Sequence, residues 1–518
     1  MDKAGITDYR WQADCKRAWH ENNCRGIVIA ATGTGKTHLA LSAAKELHNE
    51  TGGNLLLRIV VPQTAIALQW KDSLRKAGFD AADIGLCFSG LRPHPAAKVI
   101  VYVVNSARDA LAGNVVSMMQ EGRPVLIIAD EYHHYASRAN SRIFDFTESP
   151  HYRRDLLFSM GLSATEVTSE PPSKMQEVLG NIIYKYSVPD AVGDMVISRF
   201  GIYNISISLS GGEMDEYAEL CDKITLAMQY MYKNYESIMK RPDIPITEKI
   251  RLIERMNLPG QDSRVEGFKM MILRRRAIIK NADQRLRCID CLMNRVDAGK
   301  KIMVFSEFID QADEIFLLLN DRYPGCVGLY HSCLPEEVRK ATLYNFRIGN
   351  YRVLIACKAL DEGLDVPNAE VGIFLSNTES ERQRIQRLGR VIRKHEGKSL
   401  AELYYIHAEA TIESPEFLVD YPDMTTVMHA RFEGGTFNCP DYDSLCEEVL
   451  ESLKGKASSS QFAALEKAME RGLMRFDFAL DRKIIVRNIC NSTSAGMRNY
   501  WIVMQQIGKV FERKLKDS

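Results

Sequence analysis

Short unbroken runs of β-branched and aliphatic residues recur through the first 200 positions, at 27–30, 57–61, 99–104, 125–129 and 157–160, each separated from the next by a helix-length segment. Strands buried on both faces of a parallel sheet read this way. A second series follows at 302–305, 327–330, 352–356, 371–375 and 403–406. The pattern predicts an α/β protein with two parallel-sheet lobes. Between about 213 and 295 the chain reads as helical, with Pro/Gly interruptions at 241–245 and 258–260 marking helix boundaries. Beyond about Thr411 the strand rhythm stops, Gly434-Gly435 and Cys439-Pro440 supply turns, Lys456 to Ser460 (KASSS) forms a connector, and the remainder is mostly helical. The expected organisation is a first lobe over 1–205, a helical insertion between the lobes over 206–297, a second lobe over 298–410 and a helical accessory domain over 411–518.

Length and charge narrow this picture. A chain of 518 residues corresponds to about three domains at about 150 residues each. Lys plus Arg and Asp plus Glu stand at 67 each, so a surface that attracts polyanions must be local. No apolar run approaches the roughly 18 residues of a membrane span. The polar N-terminus has no secretory character, and the 12 cysteines show no framework spacing. A reducing cytoplasm without membrane attachment is the expectation.

The first chemistry appears where the run 27–30 enters Ala31-Thr32-Gly33-Thr34-Gly35-Lys36-Thr37 and then a segment with Leu39, Ala43 and Leu47 on one helical face. Strand, glycine loop and helix are the context of a phosphate-binding loop. Its glycines let backbone N–H groups close on phosphate oxygens, the lysine reaches the terminal phosphates and the threonine hydroxyl ligates magnesium. Ala30 stands where the G-x-x-x-x-G-K-[ST] pattern has its first glycine. Asp130-Glu131 directly follows the run 125–129, so both acids project from the C-terminal edge of a sheet, where ligands bind in open α/β folds. Asp130 would orient magnesium and Glu131 would activate water for attack on ATP.

Asp130-Glu131-Tyr132-His133 together with the loop 31–37 resembles superfamily 2 helicases of the DExH type, and further motifs follow in that family's order. Tyr9-Arg10-Trp11-Gln12 resembles the upstream glutamine element that recognises adenine. Val61-Pro62-Gln63 with Gln69-Trp70, and Val104-Asn105-Ser106, resemble motifs Ia and Ib, which implies that Pro62, Gln63, Asn105 and Ser106 contact a nucleic-acid backbone. Ser163-Ala164-Thr165 matches motif III, implying with His133 and Gln386 a coupling of ATP site to nucleic-acid track. Val304-Phe305-Ser306 is similar to motif IV, with Ser306 as a further backbone contact. Asp361 to Pro367 (DEGLDVP) is similar to motif V, with Gly363 and Asp365 at the nucleotide, and Gln386 to Arg393 (QRLGRVIR) to motif VI. The resemblance spans about Tyr9 to Ile406 and implies two RecA-like lobes with ATP and Mg2+ between them.

Motif VI has a physical rationale. Hydrolysis accumulates charge on the γ-phosphoryl oxygens, and a guanidinium from the facing lobe stabilises it. Arg390 and Arg393 are the expected finger positions, with Arg387 and Gln386 positioning them. The order and spacing are most similar to the XPB-like and restriction-motor branch, which implies an ATP-dependent DNA helicase or translocase. Rival readings are an RNA helicase and an ATP-switched nucleic-acid sensor that recruits an effector. No nuclease motif is recognised, so a repair or phage-defence role implies a protein partner, expected to dock on the C-terminal domain through aromatic residues such as Phe462 and Trp501. Cys288 and Cys291 read as part of an amphipathic helix rather than as a zinc pair.

Overall fold

The computed structural model describes residues 8–94, 97–166, 173–242, 244, 246–256, 267–357, 369–375, 391, 400–413, 425–454, 458–469, 477–480 and 482–517. Motif V and motif VI apart from Val391 lie outside them, and with them Gly363, Asp365, Gln386, Arg387, Arg390 and Arg393.

In the first lobe, β1 (Arg25–Ala30), β2 (Leu56–Val61), β3 (Ile84–Cys87), β4 (Val99–Val103), β5 (Val125–Asp130), β6 (Leu157–Ser163) and β7 (Ile182–Tyr186) form one sheet. The order is β3-β4-β2-β5-β6-β1-β7, with parallel pairing throughout. All six residues of β2 are buried, as an unbroken apolar run requires when helices cover both faces. Helices α1 (Arg10–Glu21), α2 (Lys36–Glu50), α3 (Thr64–Lys76) and α4 (Val104–Gln120) supply that cover. Because every strand runs the same way, the loops after β1, β2, β4, β5 and β6 open on one edge.

The second sheet holds β8 (Arg199–Ile207), β9 (Ile302–Ser306), β10 (Val327–Tyr330), β11 (Val353–Cys357), β12 (Val371–Phe374), β13 (Leu400–Ala408), β14 (Thr425–Glu433) and β15 (Thr436–Asn438). Its order is β10-β11-β9-β12-β13-β8-β14-β15, antiparallel only at the β14–β15 hairpin. Three features depart from the sequence reading. Strand β8 crosses the boundary placed at 205 and belongs to the second sheet, in register with β13 from Arg199–Leu400 to Ile207–Ala408. The helical segment therefore leaves from β8 and returns at β9, so it is an excursion of the second lobe rather than a spacer between lobes. The strand rhythm also resumes after Thr411, because β14 pairs in parallel with β8. Beyond β15 the described residues of the C-terminal region are mostly helical, and Val503, Met504, Ile507 and Val510 join the core of this lobe.

A continuous apolar cluster runs from Leu39 and Trp70 in the first lobe, through Val188 to Phe200, to Phe305 and Tyr405 in the second. The excursion has a small core of its own around Ile224, Met231, Ile253 and Phe268. Its helix Asp283–Met293 instead buries Cys288, Ile289 and Leu292 against the second sheet, as expected for that C-x2-C.

Candidate nucleotide site and nucleic-acid edge

The loop after β1 is built by backbone conformations that a Cβ disfavours: Gly33 has φ 83° and Gly35 φ 93°. At Gly35 a side chain would also meet Gln12 Nε2 at 2.8 Å. Thr34 donates from Oγ1 to the Ala31 carbonyl at 2.7 Å, closing the loop on itself. Lys36 opens α2, and its Nζ reaches the Ala30 carbonyl at 2.9 Å, so the ammonium lies along the concavity rather than in bulk water. Thr37 follows it in the first turn, where helix N–H groups have no partner within the helix. Thr32 is half-buried in the loop.

Gln12 is buried, and its amide donates to the Gly35 carbonyl at 3.2 Å. Trp11 stacks on Tyr186 with centroids 4.6 Å apart, fixing α1 against the edge strand β7. The glutamine element thus packs directly on the phosphate loop.

Asp130 ends β5 and Glu131 follows with φ 48°, a left-handed conformation rare outside glycine. That turn bends the chain so that consecutive acids point into different surroundings. Asp130 accepts from Trp70 Nε1 at 2.7 Å and from the Glu131 N–H at 3.1 Å. Burial pushes its carboxyl above the usual range, opposed by the Trp70 hydrogen bond, the Lys36 charge and the Glu131 N–H. Trp70 was recognised in sequence only as part of the helix after motif Ia. Its indole N–H, buried 60 positions from its acceptor, gives no local signal of the partner.

His133 Nδ1 lies 2.9 Å from the Ser163 hydroxyl and 3.5 Å from Glu131 Oε2. The Ser163 oxygen in turn accepts from the Thr165 N–H at 3.1 Å. One chain of contacts therefore runs from Glu131 through His133 to the turn after β6, bringing together His133, Ser163 and Thr165. Pro62 and Gln63 lead into α3, while Asn105 and Ser106 sit in the first turn of α4; Gln63 and Asn105 are exposed. All four lie on the edge that carries the phosphate loop.

Ser306 is placed otherwise than expected. It is fully buried, its hydroxyl bonds Gln311 Oε1 at 2.7 Å and accepts from the Phe308 N–H at 3.2 Å. Those bonds anchor the start of the next helix, Ile309–Arg322, and turn the side chain away from any polymer.

Two protein families match this chain: the type III restriction enzyme res subunit over residues 6–167 and the helicase conserved C-terminal domain over residues 284–395. With the two parallel-sheet lobes and a phosphate loop facing an acidic strand end, they are consistent with superfamily 2 of the helicases and translocases. Within that class it is similar to the DNA 3'-5' translocase XPB2 of Sulfurisphaera tokodaii, at 28% identity over 401 residues, 77% of this chain and 81% of that protein. It is also similar to the putative DNA 3'-5' helicase Rad25 of Haloarcula marismortui, at 24% identity over 71% of this chain and 48% of that protein. Two solved structures share the fold. One is a fragment of a putative HsdR subunit of a type I restriction enzyme from Vibrio vulnificus YJ016, with TM-score 0.51, 18% identity and coverage of 81% of this chain and 68% of that one. The other is the DNA-bound type ISP restriction-modification enzyme LlaBIII, with TM-score 0.50, 14% identity and coverage of 98% and 40%.

Proposed function

We propose that this chain is a nucleic-acid-dependent ATPase that moves along DNA as a helicase or translocase. The observation that carries the reading is the contact chain Glu131–His133–Ser163, which leads from the acids beside the phosphate loop to the turn after β6, on the same sheet edge as Gln63 and Asn105.

Lys36 supplies the positive charge that meets the terminal phosphates, and Glu131 is positioned to accept the proton of the attacking water. The Thr37 hydroxyl and the Asp130 carboxylate are hard oxygen donors of the kind magnesium prefers. Burial raises the Asp130 carboxyl against the opposing Trp70 hydrogen bond and Lys36 charge, and a cation held there would offset that burial. Bound magnesium supplies charge neutralisation across the phosphates. Arg390 and Arg393 are the proposed fingers from the second lobe, with Gln386 and Arg387 positioning them and Gly363 and Asp365 at the nucleotide. Lobe closure on ATP and opening after hydrolysis then step the exposed edge along a phosphate backbone, without base readout.

DNA as the track is supported by the DNA translocase that the chain resembles over 401 residues. The res-subunit match over 6–167 supports a restriction-like or phage-defence setting in which the motor serves a partner effector. The test is ATP turnover with duplex DNA, single-stranded DNA and RNA at several salt concentrations. DNA should stimulate turnover most, and the stimulation should fall as salt rises, because phosphate contacts release counterions. Equal turnover with and without every polymer would favour the ATP-switched sensor, and preferential stimulation by RNA the RNA helicase.

A further inference from the structure

At the opposite end of β1 from the phosphate loop, the last turns of α1 and α2 meet the tight turn that leads into the strand. Asn23 and Cys24 both adopt left-handed backbone there, with φ 56° and 53°, a conformation that non-glycine residues seldom take in succession. The turn carries Cys24 Sγ to 3.4 Å from His20 Nδ1. Glu50 Oε2 stands 3.7 Å from the same nitrogen. Sulfur, nitrogen and oxygen donors thus lie within 4.8 Å of one another.

These spacings match a known coordination geometry. Tetrahedral zinc with bonds of about 2.0–2.3 Å has ligand-to-ligand edges of about 3.3–3.8 Å. Two edges of the triangle already fall close to that range, and rotation of the exposed Glu50 side chain closes the third. The outer surroundings fit as well. The other ring nitrogen of His20 faces Glu46 Oε2 at 3.7 Å, and Glu46 is held by Lys16, which also pairs with Asp8 at 2.6 Å. A carboxylate behind the histidine is what orients a metal-ligating imidazole.

We propose that His20, Cys24 and Glu50 bind a divalent cation of the zinc class, with a fourth position left to water. The site joins the ends of α1 and α2 to the start of β1. Those helices carry Gln12 and Lys36 nearer their other ends, so the cation braces the frame of the nucleotide site without touching nucleotide.

The experiment uses the full chain, stripped with a chelator and titrated with Co2+ under anaerobic conditions. A thiolate-to-cobalt charge-transfer band should saturate at one equivalent and collapse on adding Zn2+. It should vanish in Cys24→Ser and persist in Cys490→Ser, which changes an exposed cysteine elsewhere. Glu46→Gln should keep the band and weaken Co2+ binding about 10–100-fold, as loss of an outer carboxylate does. Should Cys24→Ser not fold, His20→Gln decides, since it must lose at least about tenfold in affinity by the same reasoning. Absence of the band in the wild type, its persistence in Cys24→Ser, or unchanged affinity in His20→Gln overturns the proposal.

Discussion

Glu131 combines a left-handed backbone with a side chain 3.5 Å from His133, which ties its carboxylate through His133 to the turn after β6. Glu131→Gln should bind ATP yet lose turnover, because an amide cannot take up water's proton. Retained nucleotide in a filter assay with turnover at the level of Lys36→Ala would agree; normal turnover would remove Glu131 as the base. Trp70 is the second residue whose change is informative. Trp70→Phe removes the indole donor and leaves a buried Asp130 oxygen without that partner, at a cost of about 1–3 kcal/mol. A lowered denaturant midpoint together with reduced ATP turnover is the expected result, and unchanged values in both would show the contact to be incidental.

Among elements, the helix Asp283–Met293 adds to its apolar contacts with the second sheet a set of hydrogen bonds from one residue. Arg285 is fully buried and donates to the Ile279 carbonyl at 2.9 Å and the Ile406 carbonyl at 2.7 Å, and also to the Leu375 carbonyl and the Glu413 carboxylate. Glu413→Ala leaves that guanidinium uncompensated, at a cost of about 3–5 kcal/mol. Chemical unfolding should show the loss in the second lobe, while a change within about 0.5 kcal/mol would mean the pair is idle. Strand β13 carries a pH response nearby. Burial, then the charges of Arg285 and His429, lower His407 from 6.5 to about 4. Unfolded chain therefore binds a proton between about pH 6.5 and 4 that folded chain does not, so stability is full above that window and falls by up to about 3 kcal/mol as pH drops through it. In His407→Gln the fall between those pH values should be smaller by a corresponding amount.

For the whole molecule, the C-terminal region changes its meaning once β14 is seen. A domain that merely docks an effector should be removable. Here β14 continues the sheet beside β8 from Thr425–Phe200 to Phe432–Ile207, and Tyr442, Val449 and Met504 are buried in the same core. A chain ending at Ala410 exposes the apolar edge of β8 and is expected to aggregate or lose ATP turnover. A soluble truncated chain with DNA-stimulated ATPase would return this region to the role of a detachable dock.

Features set by neighbouring residues were legible without any coordinates. The phosphate loop is one, because Gly33 and Gly35 answer a local need for left-handed backbone and Lys36 follows at the helix start. The strand positions at 57–61, 125–129 and 302–305 are another, since strands covered on both faces must be continuously apolar. The acids at 130 and 131 follow from the end of such a strand. Tertiary structure alone decided which lobe β8 joins, since its sequence RFGIYNISI, with Gly201 and Asn204 inside, lacks the unbroken apolar run of the other strands. It likewise decided that β14 completes the second sheet, that Ser306 turns inward, and that Trp70 meets Asp130. Each depends on a partner supplied by a distant part of the chain, and neither hydrophobic periodicity nor local conformational preference carries information about that partner until the backbone has folded.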